Sequence, residues 1–465
     1  MRERFLTVTI IIVMLVSLAG LAMGNGTTEQ ETDSPELVWV TSVQGGRTPE
    51  ENELFEEEIE RLTGINVTLI KPAGSEYNTR LTTMLSTGEQ VDIAYMGAAS
   101  LTAFRDENPN LFTPLTDLIM ESAVLTDPDI IPSSEWERIR ADDGEIYGIF
   151  NKFEQGLMPI VRRDWMENLG LEDPQTLDEY YQVLRAFTDD DPDGNGQDDT
   201  YGLVMGYATY DLTPFFGAYG LRRGYDYDEN GDLYVPWATE TAIPVYEFMQ
   251  RLYSEGILEP NFITNTSANF RDIFMSDGAG MNLYWAAWVG LYNQQVKSED
   301  PDAEFKARGI APPEGPGGRL LRAGGDGLMV NPSYSEYTEE AFQVMEFWHT
   351  YDGNVLSSLG IEGHDWTEEN GDYVLTEVGE AHAMDHGAPQ PKSLAWENPI
   401  GENEGFVEAA EIVREYGVPD VVTPYNAEWE EIVRSEAARI ILGEITPEVG
   451  IANMQQRFRE AGIIQ

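Results

Sequence analysis

Between Leu37 and Gly97 the chain runs through strand, helix, strand, helix and strand signals in turn, and this run restricts the fold more than any other feature. "LVWVTSV" (Leu37–Val43) is apolar and β-rich. It leads into "QGGRTPEENELFEEEIERLTG", where Thr48 can cap a helix, Pro49 can take its first position and Gly64 can end it. "INVTLIKPA" alternates as a strand, "EYNTRLTTMLSTGE" reads as a second helix and "VDIAYMG" as a third strand. Such a unit needs crossover helices, so its strands are expected to be parallel, with ligands bound beyond their C-terminal ends.

A second stretch of mixed α/β signals follows. "VRRDWMENLGL" and "TLDEYYQVLRAFTDDD" are amphipathic, and the latter opens on a capping box, Thr176 with Glu179 three residues on. "TYGLVMG" reads as a strand, "YDYDENGDLYVPW" as a hairpin around Asn230-Gly231, and "TETAIPVYEFMQRLYSEGIL" as a helix ended near Gly256. "GAGMNLYWAAWVG" is an apolar strand leading into aromatics. "APPEGPGGRLLRAGGDG" (Ala311–Gly327) is dense in Pro and Gly and reads as a surface connection. "YTEEAFQVMEFWHTY" resumes helix, and the C-terminal third adds two more in "NAEWEEIVRSEAARIILG" and "TPEVGIANMQQRFREAG". No short-period repeat is visible, which argues against a solenoid.

The chain has 465 residues, too many for one ordinary core, and 42% hydrophobic residues to fill more than one. A formal charge of −55 argues against nucleic acid or an anionic membrane as partner, because both need clustered cations. The basic residues are 23 arginines and five lysines. An acidic, lysine-poor surface of this halophilic type suits salty water, where screening removes the self-repulsion. The chain has no cysteine, which excludes disulfides, thiolate chemistry and lipid attachment through that residue. "MRERFLTVTIIIVMLVSLAGLAMG" has basic Arg2 and Arg4, an apolar run and small residues at Ala22 and Gly24. A secretory signal peptide, 1–24, cleaved near Gly24, is expected, followed by a disordered tether, 25–36, and an extracytoplasmic protein.

"DDDPDGNGQDDTYG" (Asp189–Gly202) has six aspartates among its fourteen residues. Counted from Asp191, the oxygen-bearing positions of an EF-hand loop fall on Asp191, Asp193, Asn195, Gln197 (through its carbonyl) and Asp199, with Gly196 at the sixth place. The twelfth place, where a bidentate Glu belongs, is Gly202. The residues leave two readings open, a calcium loop and a solvated turn. "DYDENGD" (Asp226–Asp232) also alternates acids, but its hairpin signal is the stronger. His382 and His386 are four apart with Asp385 between, yet Gly387 and Pro389 speak against a helical zinc site.

Taken in order, "RLTGINV", "LTTMLSTGEQVDIAYMG", "DGEIYGI", "RRDWMENLGL" with "TLDEYYQVLRAF", "DPDGNGQDDTYGL", "LYSEGILEPNF" and "SLGIEGHDW" resemble the bacterial extracellular solute-binding proteins that deliver sugars to ABC importers, especially the alginate-binding branch. The resemblance runs from about Leu37 to the C-terminus; the departure is Leu21, where a lipoprotein would carry its lipidated cysteine.

The resemblance implies an α/β, two-lobed periplasmic-binding-protein fold of type II, with a hinge and a ligand cleft between lobes. Residues 37–157 with 308–350 would form the N-terminal lobe, and 158–307 with 351–465 the C-terminal one. The chain would cross near Gln155–Pro159, Lys306–Ala311 and Tyr351. The ligand would be an oligosaccharide or related solute, the partners ABC permease subunits, and the protein a monomer. The acidic loop would hold one structural Ca2+ on Asp191, Asp193, Asn195, Gln197 and Asp199. Sugar rings stack on aromatic side chains while amides and charged groups take the hydroxyls. The candidates are Trp285, Trp288 and Tyr284 in "YWAAW", Tyr95 at the end of "VDIAY", Gln44 and Trp366. No catalytic residue is expected: there is no G-x-S-x-G, P-loop or early G-x-G-x-x-G. The alternatives are a secreted polysaccharide-degrading enzyme and a sugar-sensing module.

Overall fold

The computed structural model describes residues 36–465 apart from 43, 47, 73–75, 153–155, 207–211, 326, 383–392 and 422. The expected signal peptide and all but the last residue of the tether lie outside the described residues, as do Asp385 and His386. Among the described residues no helix is long and apolar enough to cross a membrane.

The opening unit forms as its pattern requires. Thr48 caps the helix Pro49–Thr63 by accepting from the Glu51 N–H, the Glu51 side chain returns the bond, and Gly64 ends the helix at φ 74°. Strands Glu36–Val40, Asn66–Ile70 and Ile93–Gly97 are parallel, with Trp39 beside both Leu69 and Ile93. The sheet is completed by Gly327–Val330, antiparallel to Ile93–Gly97, and by Ile149–Phe150, antiparallel in turn to Gly327–Val330, giving the order Asn66–Ile70, Glu36–Val40, Ile93–Gly97, Gly327–Val330, Ile149–Phe150. Alternate strand residues and one stripe of each helix bury a first core that includes Trp39, Phe55, Met84, Ile93 and Trp348.

The second sheet runs Gly417–Val418, Leu321–Arg322, Leu157–Arg162, Ala279–Trp285, Tyr201–Val204, with Ala307–Gly309 also paired to Leu157–Arg162. The helix Leu177–Asp189 carries the expected capping box and packs Tyr180, Leu184 and Phe187 into a second core. Phe216 stacks on Trp237 at 4.0 Å in that core, with Trp429 edge-on at 5.2 Å. The Asn230-Gly231 hairpin is present between Asp226–Tyr227 and Leu233–Tyr234.

The two sheets correct the expected crossings. The chain leaves the first sheet after Phe150 and enters the second at Leu157. It returns between Arg322 and Gly327, not near Lys306–Ala311, because Ala307–Gly309 and Leu321–Arg322 both pair with Leu157–Arg162. Ala311–Gly327 is therefore more than a surface connection, and Leu321 is fully buried. Nor does the chain cross at Tyr351, since Leu356 and Ile361 still belong to the first core. The third crossing lies between Leu394, whose N–H donates to the Ile130 carbonyl, and Glu404, whose carbonyl accepts from Asn293. Two-residue strands are too short to show periodicity, and a helix continues its pattern whichever core it serves. The helix expected from Thr239 begins at Ile243, after two short 3₁₀ turns.

Candidate ligand-binding cleft

The C-terminal ends of strands from both sheets meet at one cavity of about 470 Å³. Tyr95 and Gly97 end one strand, Trp285 ends another, Arg322 ends a third, and Gly327 lies beside Gly97. The first turn of the helix Ala98–Glu107 and the segment Pro419–Val421 with Asn426 and Glu430 complete the wall. Two facing lobes and a concave site between them follow from this placement.

Tyr95 is held from behind. The Tyr77 hydroxyl donates to the Tyr95 carbonyl at 2.6 Å and lies 3.1 Å from the Val40 carbonyl. Burial pushes the Tyr77 phenol far above its ordinary value, so it remains a protonated donor. Across the cavity, Arg223 is 5% exposed and fixed on three sides. It pairs with Asp420 at 3.1 Å and with Glu430, and its guanidinium lies 4.4 Å over the Trp429 ring. Arg322 reaches the same Asp420 at 2.8 Å. From the first lobe, Arg138 ends the short helix Ser133–Arg138 and pairs with Glu135 of the same helix at 2.5 Å.

Of the residues expected to bind ligand, Trp285 and Tyr95 line this cavity. Tyr284 does not: successive strand residues point to opposite faces, so its ring turns into the core, 5.1 Å from Phe270. Trp288 falls on the helix Ala287–Glu299 and packs 5.5 Å from Tyr284 and 5.4 Å from Tyr292, with Arg271 at 3.9 Å over its ring. Gln44 is fully buried at the crossings. It accepts from Thr41 at 2.6 Å and donates to Asn151, whose N–H bonds the Gly327 carbonyl at 2.9 Å. Trp366 is buried, with its Nε1 on the Gly360 carbonyl at 3.0 Å and its ring stacked on Tyr373. The residues that pattern reading missed are Arg138, Arg223, Arg322, Asp420, Asn426 and Glu430. They come from loops, a strand end and helices far apart in the chain, and no local spacing marks them. The only cue was the double glycine after Arg322.

The acidic loop lies away from this cavity's wall, between the helix Leu177–Asp189 and the strand Tyr201–Val204. Asp191 takes φ 47°, and its carboxylate accepts the Gly196 N–H at 3.1 Å. Asn195 donates from Nδ2 to Asp193 at 2.8 Å and to Asp199 at 3.3 Å, and Gln197 donates its N–H to the Asn195 oxygen. Burial first, then the Asp191 and Asp199 carboxylates, push the Asp193 carboxyl above its usual value. Thr200 closes the loop by donating to the Phe187 carbonyl at 2.7 Å. A Cβ at Gly202 would meet the Leu184 carbonyl oxygen at 2.2 Å, so no glutamate can stand at the twelfth place. Among the described residues no group of three or more His, Asp or Glu is drawn together as a metal site. The donors suit a hard cation by kind, being carboxylate, amide and carbonyl oxygens, and the Asn195 amide now offsets part of their charge.

Two α/β lobes with a cavity at their strand ends define a binding protein of the hinged, two-lobed class. The chain belongs to the bacterial extracellular solute-binding protein family, whose sequence profile matches residues 45–354. It is 25% identical over 446 residues to lipoprotein LipO of Bacillus subtilis, covering 87% of this chain and 85% of that one. It is 28% identical over 381 residues to the polygalacturonan/rhamnogalacturonan-binding protein YtcQ of the same organism, covering 76% and 73%. Its fold superimposes on the alginate-binding protein AlgQ2, solved without calcium ion, with a TM-score of 0.68 at 19% identity, covering 93% and 96%.

Proposed function

We propose that this solute-binding protein serves an ABC importer by capturing an oligosaccharide between its lobes and presenting the closed complex to permease subunits as a monomer. The observation that carries this reading is Trp285 and Tyr95 on the wall of one cavity, one from each sheet. An aromatic face stacks on the apolar C–H side of a sugar ring, and the surrounding guanidinium, amide and carboxylate groups bond its hydroxyls. Two relatives are named for binding sugar polymers. Closure would turn about the three crossings, and ligand would shift the population toward the closed form. Export by a leader ending near Gly24 suits this role, and without cysteine the chain would carry no thioether-linked lipid.

We propose further that the acidic loop takes one calcium ion through Asp191, Asp193, Asn195, Gln197 and Asp199, as a staple and not as a reactant. The ion would supply charge neutralisation, and the loop would then tie the helix Leu177–Asp189 to the strand Tyr201–Val204. A thermal-shift screen of oligosaccharides with calcium and with chelator tests both parts. At least one oligosaccharide should raise the melting point, and calcium should raise it separately. No response to any sugar removes the transport reading, and a melting point blind to chelation removes the ion. Product release from a polysaccharide panel would make the protein an enzyme instead.

A further inference from the structure

We propose that ionic strength governs the opening of the two lobes: at low salt their like charge holds them apart, and added salt lets them close, whatever solute the cleft takes. The charge divides almost evenly at the crossings. Segments 36–150 and 327–394, which build the first lobe, carry 35 acids against 8 bases. Segments 157–322 and 404–465, which build the second, carry 40 against 17. Formal charges of −27 and −23 therefore stand on either side of one hinge, and neither lobe offers the other a net opposite charge.

Arginines of both lobes are used close to home. Arg105 pairs with Asp143 at 2.6 Å and Arg138 with Glu135 at 2.5 Å in the first. Arg162 pairs with Asp164 at 2.5 Å and Arg322 with Asp420 at 2.8 Å in the second. Such pairs lower the charge of a lobe without drawing the other toward it. Acids in excess of them stand exposed, among them Glu53, Glu57, Glu368 and Glu369 on the first lobe and Glu229 and Glu299 on the second. The cavity wall is nearer to balance, with Arg138, Arg223 and Arg322 against Asp420 and Glu430. The repulsion is therefore between the bodies of the lobes, and it acts before any solute arrives.

Distance decides whether this repulsion is felt. A lobe of about 200 residues has a radius of gyration of roughly 16 Å, which puts the two centres on the order of 30 Å apart. The screening length is about 30 Å at ~0.01 M salt, so each lobe then senses the other. At ~1 M it is about 3 Å, and the lobes are electrically blind to one another. Where open and closed forms differ by a few kcal/mol, a term of this kind sets their populations. Only the closed form holds solute between both lobes, so capture becomes a property of a saline medium.

The test is small-angle scattering from the full, ligand-free protein between about 0.01 M and about 1 M NaCl, the range over which the screening length crosses the lobe separation. Chelator is present throughout, and the curves are extrapolated to zero protein concentration. The radius of gyration should fall by a few per cent as salt rises, with circular dichroism unchanged. KCl and tetramethylammonium chloride should act as NaCl does at equal ionic strength, because screening depends on charge and not on the identity of the ion. A variant combining Glu53→Lys, Glu57→Lys, Glu368→Lys and Glu369→Lys should reach the compact radius at lower salt. A radius that ignores salt, a response confined to one cation, or an unchanged salt midpoint in the folded variant overturns the proposal. Loss of circular dichroism at the low end would assign the salt effect to folding and overturn it too. Each of these results leaves the sugar reading standing, since that reading is decided by the thermal-shift screen.

Discussion

The five oxygen donors of the acidic loop all fall between Asp191 and Asp199, whereas the cavity takes its wall from residues as distant as Tyr95 and Glu430. The loop is one short segment whose glycines and Asx side chains fold it back on itself, and Asp191, Gly194 and Gly196 all adopt positive φ. Its properties therefore travel with nine residues. The cleft exists only because two sheets place their strand ends opposite one another, and a change in either lobe moves it. A local device can be altered without touching binding, and a composite one can be emptied without unfolding the protein.

The comparison can be broken most forcefully at Trp288, three residues past Trp285. Its ring packs between Tyr284 and Tyr292. Trp288→Ala should cost about 3 kcal/mol of stability by leaving a void, with sugar affinity kept, as urea unfolding and calorimetry would read. A large loss of affinity at unchanged stability would put Trp288 in the cleft after all.

Calcium comes next. At a free concentration of about 100 times its Kd it should add ~2.7 kcal/mol to unfolding. Asp193→Asn should abolish that gain while leaving sugar affinity within about twofold, since neutralising a distant charge changes no contact in the cavity. Coupled losses of both would show that loop and cleft are one unit.

A smaller effect is expected at the wall itself. Trp285→Ala should weaken sugar binding by roughly 2 kcal/mol, about thirtyfold in Kd, and leave the calcium response intact. If affinity does not change, the aromatic platform is not where the sugar lies.

The smallest effect is one of pH. The Asp193 carboxyl is raised in the folded chain, so the fold favours its protonated form. Without a cation, that contribution to stability is present at low pH and is lost as pH rises through the raised value. With calcium the sign turns, because the ion needs the carboxylate, so the calcium-induced shift should fade on acidification through the same range. Melting curves between pH 7 and the carboxylate range, with and without calcium, read the difference. A calcium shift that survives acidification would exclude Asp193 as a ligand.

Much of the first lobe was legible because its signals are local. Thr48, Pro49 and Gly64 announce one helix within a few residues, and the strand–helix–strand–helix–strand order from Leu37 to Gly97 announces parallel strands. The acidic loop was legible for the same reason, down to the missing glutamate at Gly202, whose cause is the Leu184 carbonyl packed against it. The aromatic candidates divided on a point that spacing alone does not settle. Tyr284 and Trp285 are neighbours of equal promise, and the pleat sends one into the core and the other to the cavity. Gln44 has the polar side chain of a ligand contact, yet it is consumed by Thr41 and Asn151 at the crossings.

What residue order determined by itself is the α/β class, the opening parallel unit, the capped helices and the local turn of the acidic loop. Backbone propensity, capping and turn chemistry act over a handful of residues and need no partner. What only the tertiary structure decided is where the chain crosses between sheets and which arginines share a cavity. Leu321–Arg322 is a strand only because Leu157–Arg162 and Gly417–Val418 stand beside it. Arg223 is held at the wall only because Asp420, Glu430 and Trp429, some 200 residues on, close around it. Such contacts are set by packing between distant segments, and no local spacing encodes them.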